Sequence, residues 1–325
     1  MKISVLDLAY IGEGSSAADA LSNSLDLARH AEKAGYTRFW LAEHHNMTGI
    51  ASAATSVCIG HVASGTHSIR VGAGGIMLPN HSPMLIAEQF GTLATLYPGR
   101  IDLGLGRAPG TDQHTLRALR RSPESSEYFP QDVVELQALL GAPQENQQIH
   151  AIPGENTNVP LWILGSSLFG AQLAAALGLP YAFASHFAPQ ALQEAVAIYR
   201  ERFQPSKQLE APHVMVGCNV IISDTEDDAR KLFTSPQQQF TRMVRGTRGQ
   251  LPPPVDDIEQ YWSPVEKQHV SSMLTCSYFG SPTTIKDQLG SLIDATNADE
   301  LMVAAAVWDH AARVRSYDLL AEVIA

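Results

Sequence analysis

Apolar runs of strand length alternate with amphipathic helical stretches from one end of the 325-residue chain to the other, and no other feature restricts the fold as strongly. A strand that returns through a helix to a neighbouring strand makes a right-handed parallel crossover, so repeated alternation builds a parallel sheet covered by helices. Strand runs are legible at residues 3–8, 38–42, 69–77, 100–105, 161–164, 181–184, 214–222 and 300–307, and eight is the number that closes into a barrel. An open doubly wound sheet is the competing architecture. Against it, the first strand leads into Asp7-Leu8-Ala9-Tyr10 and not into a G-x-G-x-x-G fingerprint.

Local signals punctuate the helices. Ser16 and Asp19 form a capping signature before a helix with Leu21, Leu25, Ala28 and Ala31 on one face, and Gly35 ends it. A helix rich in small residues is predicted over 51–63, and Ser82-Pro83 opens another through Leu96. Two helical pieces lie in the polar stretch after the fourth strand, and further helices are predicted over 167–177, 190–203 and 224–233. Residues 234–270 break the rhythm with Gln237-Gln238-Gln239, Gly246, Gly249 and Pro252-Pro253-Pro254, which suits a mobile lid. Ser281-Pro282 restores the pattern, and a last helix runs to Ile324. The expectation is a TIM (β/α)8 barrel forming a single domain over 1–325, with an insertion after strand 4 and a lid-like insertion after strand 7.

Hydrophobic residues make up 45% of the chain and charged residues 17%, enough apolar side chains for a large core. With 22 basic and 33 acidic residues the net charge is −11, which repels nucleic acid and anionic membranes. Cys58, Cys218 and Cys276 lie too far apart for a disulfide framework or a metal motif, so free thiols are expected. MKISVLDLAY lacks a signal-peptide core, and no apolar run approaches the roughly 20 residues of a membrane span. A cytoplasmic protein is expected.

In a barrel of this kind chemistry resides where strands end. Four polar groups stand there: Glu43-His44-His45, Pro79-Asn80-His81, Gly106-Arg107 and Gly165-Ser166-Ser167. Adjacent strand residues face opposite ways, so only one of His44 and His45 is expected to face the barrel axis. The same alternation argues against a metal held by that pair, and with no H-x-H after the first strand a zinc hydrolase is disfavoured. Gly165, Ser166 and Ser167 precede a helix, where hydroxyls and unpaired N–H groups suit a phosphate, although a lone Ser pair more often only caps its helix. Arg107 at the neighbouring strand end adds a guanidinium fork for the same anion. Gly72, Gly74 and Gly75, with Gly104 and Gly106 beside them, leave a strip without side chains against which a flat ring would fit, unless helix packing outside the barrel requires it.

Four segments together resemble the bacterial luciferase-like flavin monooxygenases, in particular the alkanal monooxygenase-like branch: WLAEHH (40–45), VGAGGIMLPNHSPMLIAEQF (71–90), GRIDLGLGRAPG (99–110) and GSP (280–282). The resemblance spans nearly the whole chain. It implies a barrel that binds reduced FMN supplied by a separate reductase, reacts it with O2 to a C4a-peroxyflavin, and oxygenates a small apolar substrate such as a long-chain aldehyde. His44 matches the catalytic histidine, with Glu43 positioned to orient it or His45. Arg107 matches the phosphate-binding arginine, Ser166-Ser167 the phosphate loop, and Gly74-Gly75 a non-prolyl cis peptide beside the isoalloxazine. A twofold homodimer through the small-residue helix and the helix after Pro83 is also implied. Gly106 stands where the family often carries a cysteine, so cysteine-dependent effects do not carry over. A deazaflavin (F420)-dependent oxidoreductase on the same fold and a flavin-binding protein without turnover are the alternatives.

Overall fold

The computed structural model describes residues 1–108 and 112–324, so the Pro109-Gly110 end of the GRIDLGLGRAPG run lies outside the described residues. The strands are β1 (Lys2–Asp7), β2 (Arg38–Leu41), β3 (Arg70–Met77), β4 (Ile101–Gly106), β5 (Leu161–Gly165), β6 (Tyr181–Phe183), β7 (Val214–Ile222), β8 (Ser277–Gly280) and β9 (Glu300–Ala304). The helices are α1 (Ala17–Lys33), α2 (Thr55–Ser64), α3 (Pro83–Leu96), α4 (Gln113–Ala118), α5 (Phe129–Leu140), α6 (Leu168–Leu177), α7 (Leu192–Arg202), α8 (Glu226–Val244), α9 (Pro264–Met273), α10 (Pro282–Thr296) and α11 (His310–Ile324). Neighbours pair in chain order from β1 to β7, and β9 closes the ring by pairing with both β7 and β1. Every pairing is parallel, and the result is the expected eight-stranded TIM barrel.

Several boundaries differ from the sequence reading, each for a local reason. The reading missed β8, which pairs with β7 alone through Asn219–Ile222 and hangs outside the closed ring. Four residues with a half-buried middle give no alternation to detect. The small-residue helix begins at Thr55 and not at 51, because the Ser52 hydroxyl is drawn to the Leu8 and Ala42 carbonyls (3.1 and 2.6 Å), tying the ends of β1 and β2 together. The helix predicted to end at 233 continues to Val244 through Pro236, so the glutamine run is helical and not part of a loop. Phe233, Thr234, Ser235 and Pro236 are buried in succession, a full turn enclosed on all sides, which carries α8 past the proline. The insertion after β7 is therefore shorter than 234–270 and contains α9.

Helix starts follow the sequence signals closely. Ser16 and Asp19 cap α1 reciprocally, and Ser82 and Ser281 precede prolines that open α3 and α10.

Inside the barrel the side chains form layers. At the N-terminal ends of the strands lies an ionic layer in which Arg38 bridges two fully buried carboxylates, Asp102 at 2.7 Å and Glu300 at 3.0 Å. Arg70, His213, Ser4 and the Trp40 indole N–H complete the bonding of those carboxylates. Above it, Leu6, Trp40, Trp162, Ala182, Met215 and Met302 fill the middle. That plugged end leaves the C-terminal mouth as the open face.

The glycine strip is occupied by the protein itself. A Cβ on Gly72 would come 2.9 Å from Trp40 Nε1, and one on Gly74 would come 3.1 Å from the Trp40 side chain. Gly75 and Gly104 face each other's backbones, a Cβ on Gly75 meeting the Gly104 carbonyl at 2.7 Å. On the side where a side chain would stand, Gly72 is packed by Asp102 and Trp40 and Gly74 by Leu6 and Trp40, so close packing within the barrel already requires glycine at both positions. The Gly74-Gly75 peptide is cis, at a register shift between β3 and β4.

Candidate active site

Just past β2, the Glu43 N–H donates to the Gly75 carbonyl (3.2 Å), which fastens the loop to the cis peptide. The Glu43 side chain is only 1% exposed and is surrounded by donors. Its Oε2 accepts the Met77 N–H at 2.9 Å and its Oε1 lies 2.6 Å from His45 Nε2. His81 Nε2 sits 2.9 and 3.0 Å from the two oxygens, and Asn80 Nδ2 lies 3.4 Å from Oε1. Burial pushes this carboxyl up, but hydrogen bonds from His45, His81 and the Met77 amide outweigh it and hold the pKa at about 2. The carboxylate in turn raises the pKa of His45.

The ligand atoms of Glu43, His45 and His81 all fall within 4.8 Å, a spacing a metal ion could bridge. The carboxylate is nevertheless fully engaged by donors, including a backbone N–H that would lose its partner to a cation. The cluster is complete as a hydrogen-bonded unit.

His44 turns away from this unit, as strand alternation requires. Its Nδ1 is buried with no hydrogen-bond partner among the described residues. Burial lowers its pKa, against the pull of Glu43 and the nearby Ala42 carbonyl, and the charges of His45 and Arg248 lower it further. A second imidazole, His186 after β6, lies within electrostatic reach of His44 and is pushed down to about 4 by burial and by that neighbour. Its Nδ1 is likewise buried and unpartnered. Gly217 makes room for the ring, since a Cβ there would come 2.5 Å from Nδ1. His186 was missed in the sequence reading, although a histidine three positions beyond the end of β6 stands in a strand-end loop just as His44 and His81 do.

Arg107, exposed at the end of β4, stacks its guanidinium 4.1 Å above the Phe169 ring in the first turn of α6. Ser167 is the N-cap of α6 with extended backbone, yet its side chain makes no capping bond. Ser167 thus does not cap its helix through its side chain, and the stack on Phe169 brings Arg107 to the first turn of α6, next in sequence to Gly165, Ser166 and Ser167.

The family model for luciferase-like monooxygenases matches residues 1–299. A luciferase-like monooxygenase of Escherichia coli K12 is 56% identical over 98% of this chain and 96% of its own. The N-acetyl-S-alkylcysteine monooxygenase of Bacillus subtilis is 30% identical over 100% of this chain and 98% of its own. Among solved structures, apo-MsnO8 superposes with a TM-score of 0.92 at 36% identity, covering 99% of this chain and 98% of that one. Two others share the fold alone. The oxygenating constituent of Pseudomonas putida 3,6-diketocamphane monooxygenase, in complex with FMN, has a TM-score of 0.73 at 18% identity, covering 99% and 97%. An F420-dependent secondary alcohol dehydrogenase has 0.71 at 16% identity, with the same coverage.

Proposed function

As the chain belongs to the luciferase-like monooxygenase family, we propose that it is an FMN-dependent monooxygenase acting on a small apolar substrate such as a long-chain aldehyde. The observation that carries this reading is the pairing, at one barrel mouth, of an anion-ready helix end with a neutral, unpartnered histidine. The residues present fit FMN. Arg107, Ser166, Ser167 and the N–H groups opening α6 suit its phosphate, with Gly165 leaving the approach clear and Gly74-Gly75 flanking the ring.

Reduced FMN, delivered by a separate reductase, supplies the electrons that activate O2. The chain does the rest. His44, neutral near pH 7, takes or gives a proton at its accessible Nε2 while its buried Nδ1 keeps the ring against the protein. Glu43, locked to His45, His81 and the β3 end, fixes the loop that carries His44. The segment after α8 is bonded to the loop after β1 at the rim of the mouth, where it would limit water.

We further read the chain as one domain that pairs as a homodimer through α2 and α3. Val57, Leu85 and Leu96 on these helices are 71%, 55% and 63% exposed, an apolar surface suited to a second copy. Three free, buried cysteines suit a reducing cytoplasm, and among the described residues no helix is long and apolar enough to cross a membrane.

The test is oxygen consumption with reduced FMN and an aldehyde series, together with native mass spectrometry after loading with FMN or F420. Substrate-dependent consumption with FMN retained supports the proposal. Retention of F420 alone, or binding without turnover, rejects it.

A further inference from the structure

The chain leaves α8 through Gly246, whose φ of +72° is the left-handed turn that glycine favours. It then runs back across the mouth. Leu251 donates its N–H to the Ile11 carbonyl (2.9 Å) and accepts the Glu13 N–H (2.8 Å), so this strap joins the loop after β1. One step earlier the Gly249 carbonyl fills the space beside Gly49, where a Cβ would stand 2.2 Å from its oxygen. Gly49 belongs to the loop that carries His44. From the other side Arg242 pairs with Glu13 at 2.7 Å and bonds the Gln250 carbonyl at 3.2 Å. Arg248 is thereby held between two fixed points, next to the loop bearing His44.

The three arginines of this region differ. Arg242 is neutralised by Glu13 and Arg245 by Glu266 at 2.6 Å. Arg248 has no acidic or hydrogen-bonding partner among the described residues. The Glu43 carboxylate on the loop of His44 is itself consumed by His45, His81 and the Met77 N–H. His45, also near His44, has its charge paired with Glu43. His186 is clamped by the Asn219 side chain on its carbonyl (2.6 Å) and by the Ser185 hydroxyl on Gly217 (2.6 Å), and it presents an imidazole held neutral by burial. In a chain of net charge −11, an exposed, uncompensated guanidinium at the barrel mouth is a local exception that attracts an anion.

We propose that Arg248 anchors a carboxylate carried by the substrate, holding it at the mouth beside His44 and His186. The proposal rests on the oxygenase reading only in taking this mouth as the substrate entrance, and it narrows the apolar substrate to a chain that also ends in a carboxylate. A guanidinium presents two parallel N–H donors that match a carboxylate, and the neighbouring neutral imidazoles add hydrogen bonds without competing charge. The cofactor phosphate is the other anion that a guanidinium here would attract, so the experiment separates the two.

Binding of medium-chain carboxylic acids and of their methyl esters is measured by tryptophan fluorescence on the full chain, with and without FMN. Wild-type protein, Arg248→Gln, Arg248→Lys and Arg107→Ala are compared, and FMN affinity is titrated in parallel. In the wild type the acids are expected to bind at least about tenfold more tightly than the esters, the size expected of a charged hydrogen-bonded pair. Arg248→Gln should abolish the preference, Arg248→Lys should restore part of it, and neither should change FMN affinity. Lack of an acid preference in the wild type, or its persistence in Arg248→Gln, overturns the proposal. So does a loss of FMN affinity in Arg248→Gln as large as in Arg107→Ala, which would assign the arginine to the cofactor phosphate. If the acid preference and its loss appear while FMN fails to bind, the carboxylate anchor stands and the oxygenase reading falls. With FMN bound and no acid preference, the reverse holds.

Discussion

Glu43 lies 2.6 Å from His45 Nε2 and makes no hydrogen bond to His44, the residue between them. The two histidines of one dipeptide thus belong to different systems. His45 is part of a charged, hydrogen-bonded unit with Glu43 and His81, whereas His44 joins His186 as a neutral ring at the mouth. Replacing Glu43 by Ala would strand two imidazoles and the Met77 amide in a buried place. A loss of about 3 to 5 kcal/mol in unfolding free energy is expected, the cost of breaking a buried ionic cluster by removing one partner. Urea unfolding of Glu43→Ala checks it, and a loss below about 1 kcal/mol contradicts the cluster's structural role.

The same cluster sets a pH window for stability. Glu43 has a depressed folded pKa, so its contribution is present above its ordinary value of 4.5 and is lost as pH falls through about 2. His45 has a raised folded pKa, so its contribution is complete below 6.5 and is lost as pH rises through the elevated value. Together they favour the range between 4.5 and 6.5. Melting temperatures measured across pH should show a decline above that range in the wild type that is weaker in His45→Gln.

Proton transfer should separate His44 from His45. With His44 as the acid/base group, His44→Ala is expected to lower single-turnover oxygenation by roughly 10²-fold or more with FMN affinity nearly unchanged. His45→Ala should lower stability more than rate. Because the His44 pKa is depressed, the acidic limb of the wild-type pH–rate profile should lie below 6.5. A limb above that value, or a larger rate defect in His45→Ala, transfers the role to His45.

Arg107 stacked on Phe169 faces the opening of α6. Substituting it by Ala should weaken FMN binding by about 1 to 3 kcal/mol, the range for hydrogen bonds to a charged group. Fluorescence titration of FMN reports the change directly, and equal affinities for the two proteins would remove Arg107 from the phosphate site.

The strap after α8 gives a protease test. Arg242 and Arg245 are tied by ion pairs, so trypsin should cut first at exposed, unpaired Arg248. Gly49→Ala, which places a methyl against the Gly249 carbonyl, should accelerate that cleavage by displacing the strap. First cleavage at Arg242 would show that the Glu13 contact does not hold.

Light scattering at micromolar concentration tests the dimer. A dimer that Val57→Asp converts to monomer supports α2 and α3 as the interface, since a buried unpaired carboxylate is costly. A monomeric wild type removes it.

Periodicity and punctuation, both local properties, were enough to place the barrel strands, the Ser16–Asp19 cap and the Ser-Pro helix starts. Strand ends are legible for the same reason, so Glu43, His44, His45, Arg107, Ser166 and Ser167 stand out in the sequence itself. What each of them touches was not legible, because partners arrive from distant points in the chain. Glu43 meets His81 from the end of β3, His44 has His186 from β6 and Arg248 from the strap as neighbours, and Trp40 fills the space of Gly72 and Gly74. The continuation of α8 through Pro236 was likewise decided by burial of the whole turn from Phe233 to Pro236, where tertiary packing overrides a local breaker. Sequence spacing determines which way a side chain leaves its own strand, and only closure of the barrel determines what it finds there.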